Sequence, residues 1–398
     1  MSDLRTVVTT PEVPTLLSTS MIGRLPTAMA TLAVLLLVRG DGGDYTLAGA
    51  LAALFTAGTS VGQPALARLV DRRGQRTVLL AAALISALGF VVLAISGADH
   101  ALVSAVAATV AGLATPPLEP CLRSLWPHVV TGASVLRAAF SLDVGLQELI
   151  FVVGPLLAVA AVTVFGHTGA VLACGVFALL GTIAFAATTA SGRWQPEVHT
   201  GGRHGSPLHH PLLVRVFLVA LAAGIPVGAL PIVAAAFADL RGTSALTGWV
   251  LAANATGALG SGLWGAVRPN PRSDARMLAA AGLAHAIVYL PLAIVSPTAL
   301  WLVAAFVSGL ALPVVLGVVF QRIQERCPPN LMTEANAWVV TAFGLGAAVA
   351  ALLAGIVTDR VSAATAITSV VLSAAACTAI GCAASYRRDP SAALTIRP

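Results

Sequence analysis

The chain has 398 residues, of which 58% are apolar and only 10% are charged, and its formal net charge is +6. A soluble domain carries about 25% charged residues to solvate its surface, so this composition excludes an ordinary soluble domain and indicates a surface that faces lipid. All 22 basic residues are arginines that stand singly or in short loops between apolar runs. That distribution is typical of a membrane topology signal and argues against nucleic-acid binding.

Twelve apolar runs are long enough to cross a hydrocarbon core of about 30 Å, which needs roughly 20 helical residues. The first six runs are Pro14–Val38, Tyr45–Leu66, Val78–Ser96, Ala101–Leu122, Ala138–Phe165 and Ala170–Ala190. The second six are Leu212–Phe237, Leu246–Val267, Met277–Val295, Leu300–Phe320, Ala335–Val357 and Ala363–Ser385. We therefore predict an all-α integral membrane protein with twelve transmembrane helices in two six-helix bundles.

The longest polar stretch divides the chain into similar halves. We predict an N-terminal bundle at residues 1–190, a cytoplasmic central linker at 191–211 and a C-terminal bundle at 212–398. The linker region holds four histidines, which raises the alternative of a metal-binding tract. They are His199, His204, His209 and His210. Their irregular spacing among glycines favours a solvated linker, so we predict no metal and no cofactor.

Arginine distribution sets the predicted orientation. If both termini are cytoplasmic, 18 of the 22 arginines fall on the cytoplasmic side, and the opposite orientation would violate the positive-inside bias. Only Arg39, Arg241 and Arg360 then lie outside, while Arg24 falls within the first run.

The loop after the second run carries a recognisable motif. It reads Ala67-Arg68-Leu69-Val70-Asp71-Arg72-Arg73-Gly74-Gln75-Arg76. This resembles the signature of the major facilitator superfamily, a Gly, three residues and then Asp-Arg-x-Gly-x-Arg/Lys, with Ala67 in place of the first Gly. The resemblance implies the fold of that family and a conformational switch loop in which Asp71 latches the outward-facing state, together with Arg72, Gly74 and Arg76. The alternative is a basic loop that only sets topology.

Ionisable residues at mid-depth in a membrane are candidates for function, because burying a charge there costs at least a few kcal/mol. Arg24 and Glu148 each lie roughly 15 Å inside their runs, and we expect them to pair. Two interpretations stay open, a proton-accepting Glu148 modulated by Arg24 and a static structural pair. Asp143 is expected to bind Arg137 or Arg123.

Two further expectations concern the remaining polar residues within the spans. Glu119, between two prolines near the inner end of span four, is expected to pair with Arg123. The second half carries His285, Tyr289 and Asn254 but no mid-depth carboxylate, which places any proton coupling in the first half.

We expect a secondary active transporter in the plasma membrane that exports amphipathic or hydrophobic small molecules in exchange for protons. A proton-coupled importer of a small metabolite and a non-transporting membrane sensor are the alternatives. The spans carry no nucleophile–base pair, Gly-x-Ser-x-Gly elbow or HExxH helix, and there is no Walker loop, so we expect neither an enzyme nor an ATP-driven pump. The expected partners are the lipid bilayer, a small-molecule substrate and protons, with no nucleic acid, and we expect a monomer.

Overall fold

The computed structural model describes residues 2–194, 211–267, 275–294, 297–327 and 332–386, and every regular element within these ranges is helical. The N-terminal segment, residues 2–194, contains α1 (Ser2–Thr9), α2 (Val13–Gly40), α3 (Tyr45–Arg73), α4 (Gln75–Ser96), α5 (Ala101–Leu113), α6 (Leu118–Val129), α7 (Ala133–Ala186) and α8 (Thr189–Arg193). The C-terminal segment, residues 211–386, contains α9 (Pro211–Leu240), α10 (Ala245–Val267), α11 (Ala275–Ile287), a 3-10 turn (Leu290–Ala293), α12 (Thr298–Gly309), α13 (Ala311–Arg326), α14 (Met332–Arg360) and α15 (Ala363–Tyr386).

The helix boundaries follow from local residue chemistry. Asp44 caps α3, because its carboxylate accepts a hydrogen bond of 2.7 Å from the backbone N–H of Leu47. Gly74 separates α3 from α4 with a φ of 87°, a conformation that favours glycine. The predicted short break between the third and fourth runs is present, since α4 ends at Ser96 and α5 begins at Ala101.

The predicted runs can be compared with the structure for the continuity of their helices. The fourth run is interrupted after Leu113, because Pro116 and Pro117 lack the backbone N–H that a continuing helix needs. The fifth and sixth runs instead merge into the 54-residue α7, which turns at Gly166 (φ 74°, ψ 176°) without a connecting loop. Within the described residues, ten segments are long and apolar enough to cross a membrane.

The helices pack as long neighbours. In the N-terminal segment α2 and α4 lie against α7, and α5 lies against α3 and α4. In the C-terminal segment α9 lies against α14 and α15, and α10 lies against α12. The two segments meet mainly where α3 packs on α14 and α7 packs on α10.

The apolar core differs between the two faces of the molecule. We call the face at which α2 and α9 begin the terminal face and the opposite one the distal face. Toward the distal face one core is shared by both segments, with residues such as Leu35 of α2 and Val233 of α9. Toward the terminal face the N-terminal segment has its own core around Leu16 and Trp126, and the C-terminal segment has its own around Val216 and Ile323. The segments are therefore joined at the distal face and have separate cores at the terminal face.

Candidate functional site

Four charged side chains from three helices form a closed ring of salt bridges inside the N-terminal segment. Arg24 of α2 binds Asp143 of α7, with 2.7 Å from Nη1 to Oδ1, and Glu119 of α6, with 3.1 Å from Nη2 to Oε2. Arg123 binds the other oxygen of each acid, with 2.6 Å to Oε1 of Glu119 and 2.9 Å from Nε to Oδ2 of Asp143. We call these four residues the charge ring. With all four groups ionised it is neutral, and it fixes α2, α6 and α7 relative to one another.

Helix geometry brings the ring together at mid-depth. Arg24 lies 11 residues into α2 and Asp143 lies 10 residues into α7, which places both roughly 15 Å from the terminal ends of their helices. Glu119 and Arg123 are four residues apart on α6 and therefore share a face. Gln147, four residues after Asp143, accepts a further hydrogen bond from Nη2 of Arg24.

The ring has a closed side and an open side. The side chains of Asp143 and Arg24 are 1% and 5% exposed, whereas those of Glu119 and Arg123 are 33% and 38% exposed. A charge at the centre of a bilayer costs at least about 2.5 kcal/mol, so each of the two buried groups requires the other. The two exposed groups give water access to one carboxylate and one guanidinium of the ring.

Two of the expected contacts are present in this ring. Asp143 binds Arg123, one of the two partners considered for it, and Glu119 binds Arg123. The side chain of Arg137, the other partner considered, lies outside the described residues. What Glu119 and Asp143 do in transport stays a prediction.

The expected pair of Arg24 and Glu148 cannot be compared directly with the described side chains. The side chain of Glu148 lies outside the described residues, and the partners found for Arg24 are Asp143, Glu119 and Gln147. Asp143 and Gln147 are four residues apart and present one helical face to α2, whereas position 148 is rotated about 140° from Asp143. Sequence reasoning placed Arg24 at the correct depth but did not select the face of α7 that it binds.

The switch loop residues stand at the joint between α3 and α4. Asp71 and Arg72 belong to the last turn of α3, Gly74 forms the joint, and Arg76 lies in the first turn of α4. Asp71 is exposed and makes no hydrogen bond or salt bridge to any residue that the structure describes. The switching role of Asp71 stays a prediction.

A residue of the same loop that sequence reasoning missed is Gln75. It is buried, and its Nε2 donates to the carbonyl of Cys121 at 3.2 Å and to Oγ of Ser124 at 3.0 Å. Its Oε1 accepts a hydrogen bond of 3.1 Å from Ser191 in α8. Gln75 therefore connects the loop to α6 and to the start of the central linker. In the sequence, only its position between Gly74 and Arg76 indicated that it could matter.

A second polar network joins the two segments at the distal face. Asp239 at the end of α9 binds Arg39 of α2 at 2.8 Å and accepts a hydrogen bond of 2.6 Å from the hydroxyl of Tyr45. Asp359 at the end of α14 accepts from the backbone N–H groups of Tyr45 and Thr46, at 3.0 Å and 2.5 Å. We call these five residues the distal latch. The sequence offered only a weak signal for this network. One aspartate follows the seventh run and another follows the eleventh, and Arg39 is one of the few arginines predicted at the distal face.

A network of polar contacts within the C-terminal segment involves Asn254, Ser308, Tyr289 and His285. Asn254 donates to Oγ of Ser308 at 2.9 Å, and its Nδ2 lies 3.4 Å from the hydroxyl of Tyr289. His285 lies with Nε2 3.0 Å from the carbonyl of Ala223, and its ring meets Tyr289 edge-on. These contacts hold α9 to α12 together.

The described helices are apolar and form two segments, which share a core at one face and have separate cores at the other. This is the architecture of a secondary membrane transporter. The sequence matches the model of the Major Facilitator Superfamily over residues 16–339, and the chain therefore belongs to that family. A comparison with curated protein sequences finds no match.

Solved structures with a similar fold include members of the POT family. One is an auto-inhibited POT family peptide transporter, at 13% identity and a TM-score of 0.70, covering 97% of this chain and 98% of that one. Another is a peptide transporter POT in complex with sulfate, at 16% identity and a TM-score of 0.74, covering 95% of each chain. A third is the POT family transporter PepTSo, at 13% identity and a TM-score of 0.69, covering 95% of this chain and 99% of that one. At these identities the likeness shows the fold alone.

Proposed function

We propose that this transporter works by alternating access and exports amphipathic or hydrophobic small molecules in exchange for protons. The observation that carries the proposal is the charge ring, a mid-depth site with a carboxylate on its open side. Carboxylates inside membrane spans mark proton and substrate pathways. Burying such a group costs free energy, so it is found there mainly where it serves such a pathway or is paired.

The proposal includes a full count of the spans and an orientation. Dividing α7 at Gly166 and adding the 23-residue α10 to the ten apolar segments gives twelve spans, in bundles at residues 1–190 and 212–398 with a linker at 191–211. The positive-inside bias supports a cytoplasmic terminal face, and we propose the plasma membrane as the location. The four histidines at 199, 204, 209 and 210 lie outside the described residues.

In this conformation the transporter opens toward the cytoplasm. The shared core and the distal latch hold the segments together at the outer face, while the apolar cores toward the terminal face are separate. Both α2 and α7 contact the C-terminal segment through their distal parts, for example where Pro155 and Val159 approach Gly248. Their terminal halves carry Arg24 and Asp143 and lie on the side of the molecule where the cores are separate.

Protonation of the ring would alter its charge balance. Adding a proton to Glu119, the more exposed carboxylate, leaves Arg24 and Arg123 sharing the single negative charge of Asp143. The guanidinium of Arg123 then loses one of its two anionic partners, which favours a rearrangement of α6 against α2 and α7. Glu148 remains a second candidate proton acceptor in the same helix as Asp143.

Two observations bear on the substrate. The chain contains 5% aromatic residues and few polar residues in its spans, a composition that suits hydrophobic compounds better than sugars. The second candidate function, import of a small metabolite with protons, is favoured by the fold likeness to proteins described as peptide transporters.

Transport into purified proteoliposomes separates these two functions. The vesicles carry an imposed pH gradient and are tested with a panel of hydrophobic cations, amphipathic dyes and short peptides. A proton antiporter accumulates its substrate in vesicles with an acidic lumen, whereas a proton symporter accumulates it in vesicles with an alkaline lumen. We expect accumulation of a hydrophobic compound with the acidic lumen only. Accumulation of a peptide with the alkaline lumen would support the second candidate and refute export.

A further inference from the structure

A narrow apolar groove opens on the outer surface of the N-terminal segment, away from the charge ring and the distal latch. It has a volume of about 310 Å³ and lies between α3, α4 and the end of α5. Leu66 and Leu69 form one wall, Ala81 and Ile85 form the other, and Leu113 lies at its inner end. The groove belongs to neither the proposed coupling site nor the contact between the segments.

The groove exists because α5 ends early. This helix packs against both α3 and α4 but stops at Leu113, before Pro116 and Pro117. After the two prolines the chain continues as α6, which packs against α2, α7 and α8. The space between the terminal halves of α3 and α4 is thus left open toward the lipid.

The dimensions of the groove match a single acyl chain. From Thr77 at the terminal end to Ile85 the wall of α4 covers eight residues, or about 12 Å. One leaflet contributes about 15 Å of the hydrocarbon core. Ile85 and Leu113 are 47% and 41% exposed, so an apolar chain in the groove would cover surface that is otherwise open.

The terminal end of the groove is positively charged. Arg73 and Thr77 are exposed there, and Arg73 makes no hydrogen bond or salt bridge to any other described residue. Between positions 68 and 76 four arginines and one aspartate, Asp71, give a local charge of +3. Basic clusters at the cytoplasmic end of a membrane helix attract anionic lipid headgroups.

We propose that this groove binds one anionic phospholipid of the cytoplasmic leaflet. The phosphate lies against Arg73 and Thr77, and one acyl chain lies between α3 and α4. A zwitterionic lipid can place the same chain in the groove, but it carries no net negative charge for the +3 loop, so the site prefers the anionic headgroup. The bound lipid contacts both sides of Gly74, the joint between the two helices, and therefore restrains the angle of that joint.

Native mass spectrometry of the full-length protein tests the proposal directly. The purified protein is exposed to equal amounts of dioleoylphosphatidylglycerol and dioleoylphosphatidylcholine, and the retained lipid is counted. We expect the wild type to retain the phosphatidylglycerol preferentially. Arg73→Gln should reduce that preference about fivefold, the size expected for one basic side chain at an anionic surface. Arg68→Gln is the matched control, because it removes the same charge from an exposed position of α3 that does not line the groove.

A second pair of variants tests the acyl chain. Ala81→Trp fills the groove and should lower retention of the phosphatidylglycerol, whereas Leu84→Trp, at a position of α4 that is 52% exposed and outside the groove, should not. Circular dichroism checks that each variant keeps its helix content. Equal retention of both lipids by the wild type would overturn the proposal. So would equal effects of Arg73→Gln and Arg68→Gln, or an Ala81→Trp variant that retains lipid like the wild type.

Discussion

At the scale of single residues, Asp143 is the most enclosed member of the charge ring. Both of its oxygens bind guanidinium groups, and its side chain is 1% exposed. Removing one partner of a buried ion pair leaves an uncompensated charge, which costs about 3–5 kcal/mol. The stability of the N-terminal segment should therefore depend on the charges as a set more than on any one of them.

A double-mutant cycle tests this dependence. We expect Arg24→Gln and Asp143→Asn each to lower the free energy of unfolding by about 3 kcal/mol or more, because each leaves a buried charge short of a partner. The double variant should lose clearly less than the sum of the two single losses. Thermal unfolding of the purified protein in detergent provides the measurement. Strict additivity would contradict the coupling that the ring implies.

The ring also shows what sequence reasoning can and cannot reach at this scale. Spacing along the runs placed Arg24 and Glu148 near mid-depth and paired Glu119 with Arg123, because depth and helical face follow from residue number. Helical spacing cannot show which face of one helix meets another, so the contact of Arg24 with Asp143 and Gln147 was not predicted. Long-range pairs such as Asp239 with Tyr45 are likewise set by tertiary packing.

At the scale of secondary-structure elements, the contact between α3 and α14 depends on closely approaching backbones. A Cβ at Gly355 would collide with the backbone carbonyl of Tyr45, and one at Gly49 would collide with that of Ala351. Small residues at such crossings are typical of membrane helices, where backbone proximity provides the packing energy. Helix separation at these points would weaken the distal contact between the segments.

A matched pair of glycine substitutions tests this packing. Gly355→Ala should lower the melting temperature, because the carbonyl of Tyr45 belongs to the backbone and cannot move aside cheaply. Gly317→Ala in α13 places its Cβ in open space, so it should stabilise the helix by roughly 0.5–1 kcal/mol. Differential scanning fluorimetry of both variants gives the comparison. Equal effects of the two substitutions would show that the backbones of α3 and α14 are not in close contact at this point.

The distal latch makes a prediction about which face is open. Asp239→Asn removes the salt bridge to Arg39 and should shift the population toward a state open at the distal face. A cysteine at Ala52, which is buried in the α3–α14 contact, reports that opening through labelling by a membrane-impermeant maleimide from outside. We expect labelling to increase several-fold relative to the parent with the same cysteine, since surface ion pairs and their hydrogen bonds contribute about 1 kcal/mol each.

The control for this measurement is Asp44→Asn. Asp44 lies at the same face but its carboxylate caps its own helix α3, so the variant removes a charge without breaking a contact between the segments. Labelling that rises equally in both variants, or in neither, would refute the latch.

The secondary structure itself was largely predictable. Hydropathy and length fixed the helix positions, because a spanning helix needs about 20 apolar residues whatever its neighbours are. The interruption after Leu113 was not predicted, although Pro116 and Pro117 follow it, whereas the division of α7 at Gly166 falls between the predicted fifth and sixth runs. The turn at Gly166 depends on one positive φ, and only the folded chain shows that this glycine adopts it.

At the scale of the whole molecule, the division of the apolar core is the main structural feature that could not be predicted from the sequence. Both segments carry similar apolar runs, and nothing in their composition shows that they share a core only toward the distal face. The conformational state of a transporter is one minimum among several that the same sequence must allow. The motif around Asp71 identified the family, whereas the structure located the charge ring on the side of the molecule where the cores are separate.

The central claim is that the charge ring couples transport to protons. The most direct test compares two modes of transport of the same substrate in proteoliposomes, accumulation driven by an acidic lumen and exchange at equal pH. Glu119→Gln should abolish the gradient-driven accumulation and retain exchange, and Glu148→Gln serves as the parallel test of the second candidate. Asp99→Asn, at an exposed distal turn, is the control that should retain both modes. Gradient-driven accumulation by Glu119→Gln equal to that of the wild type would contradict the assignment of this carboxylate.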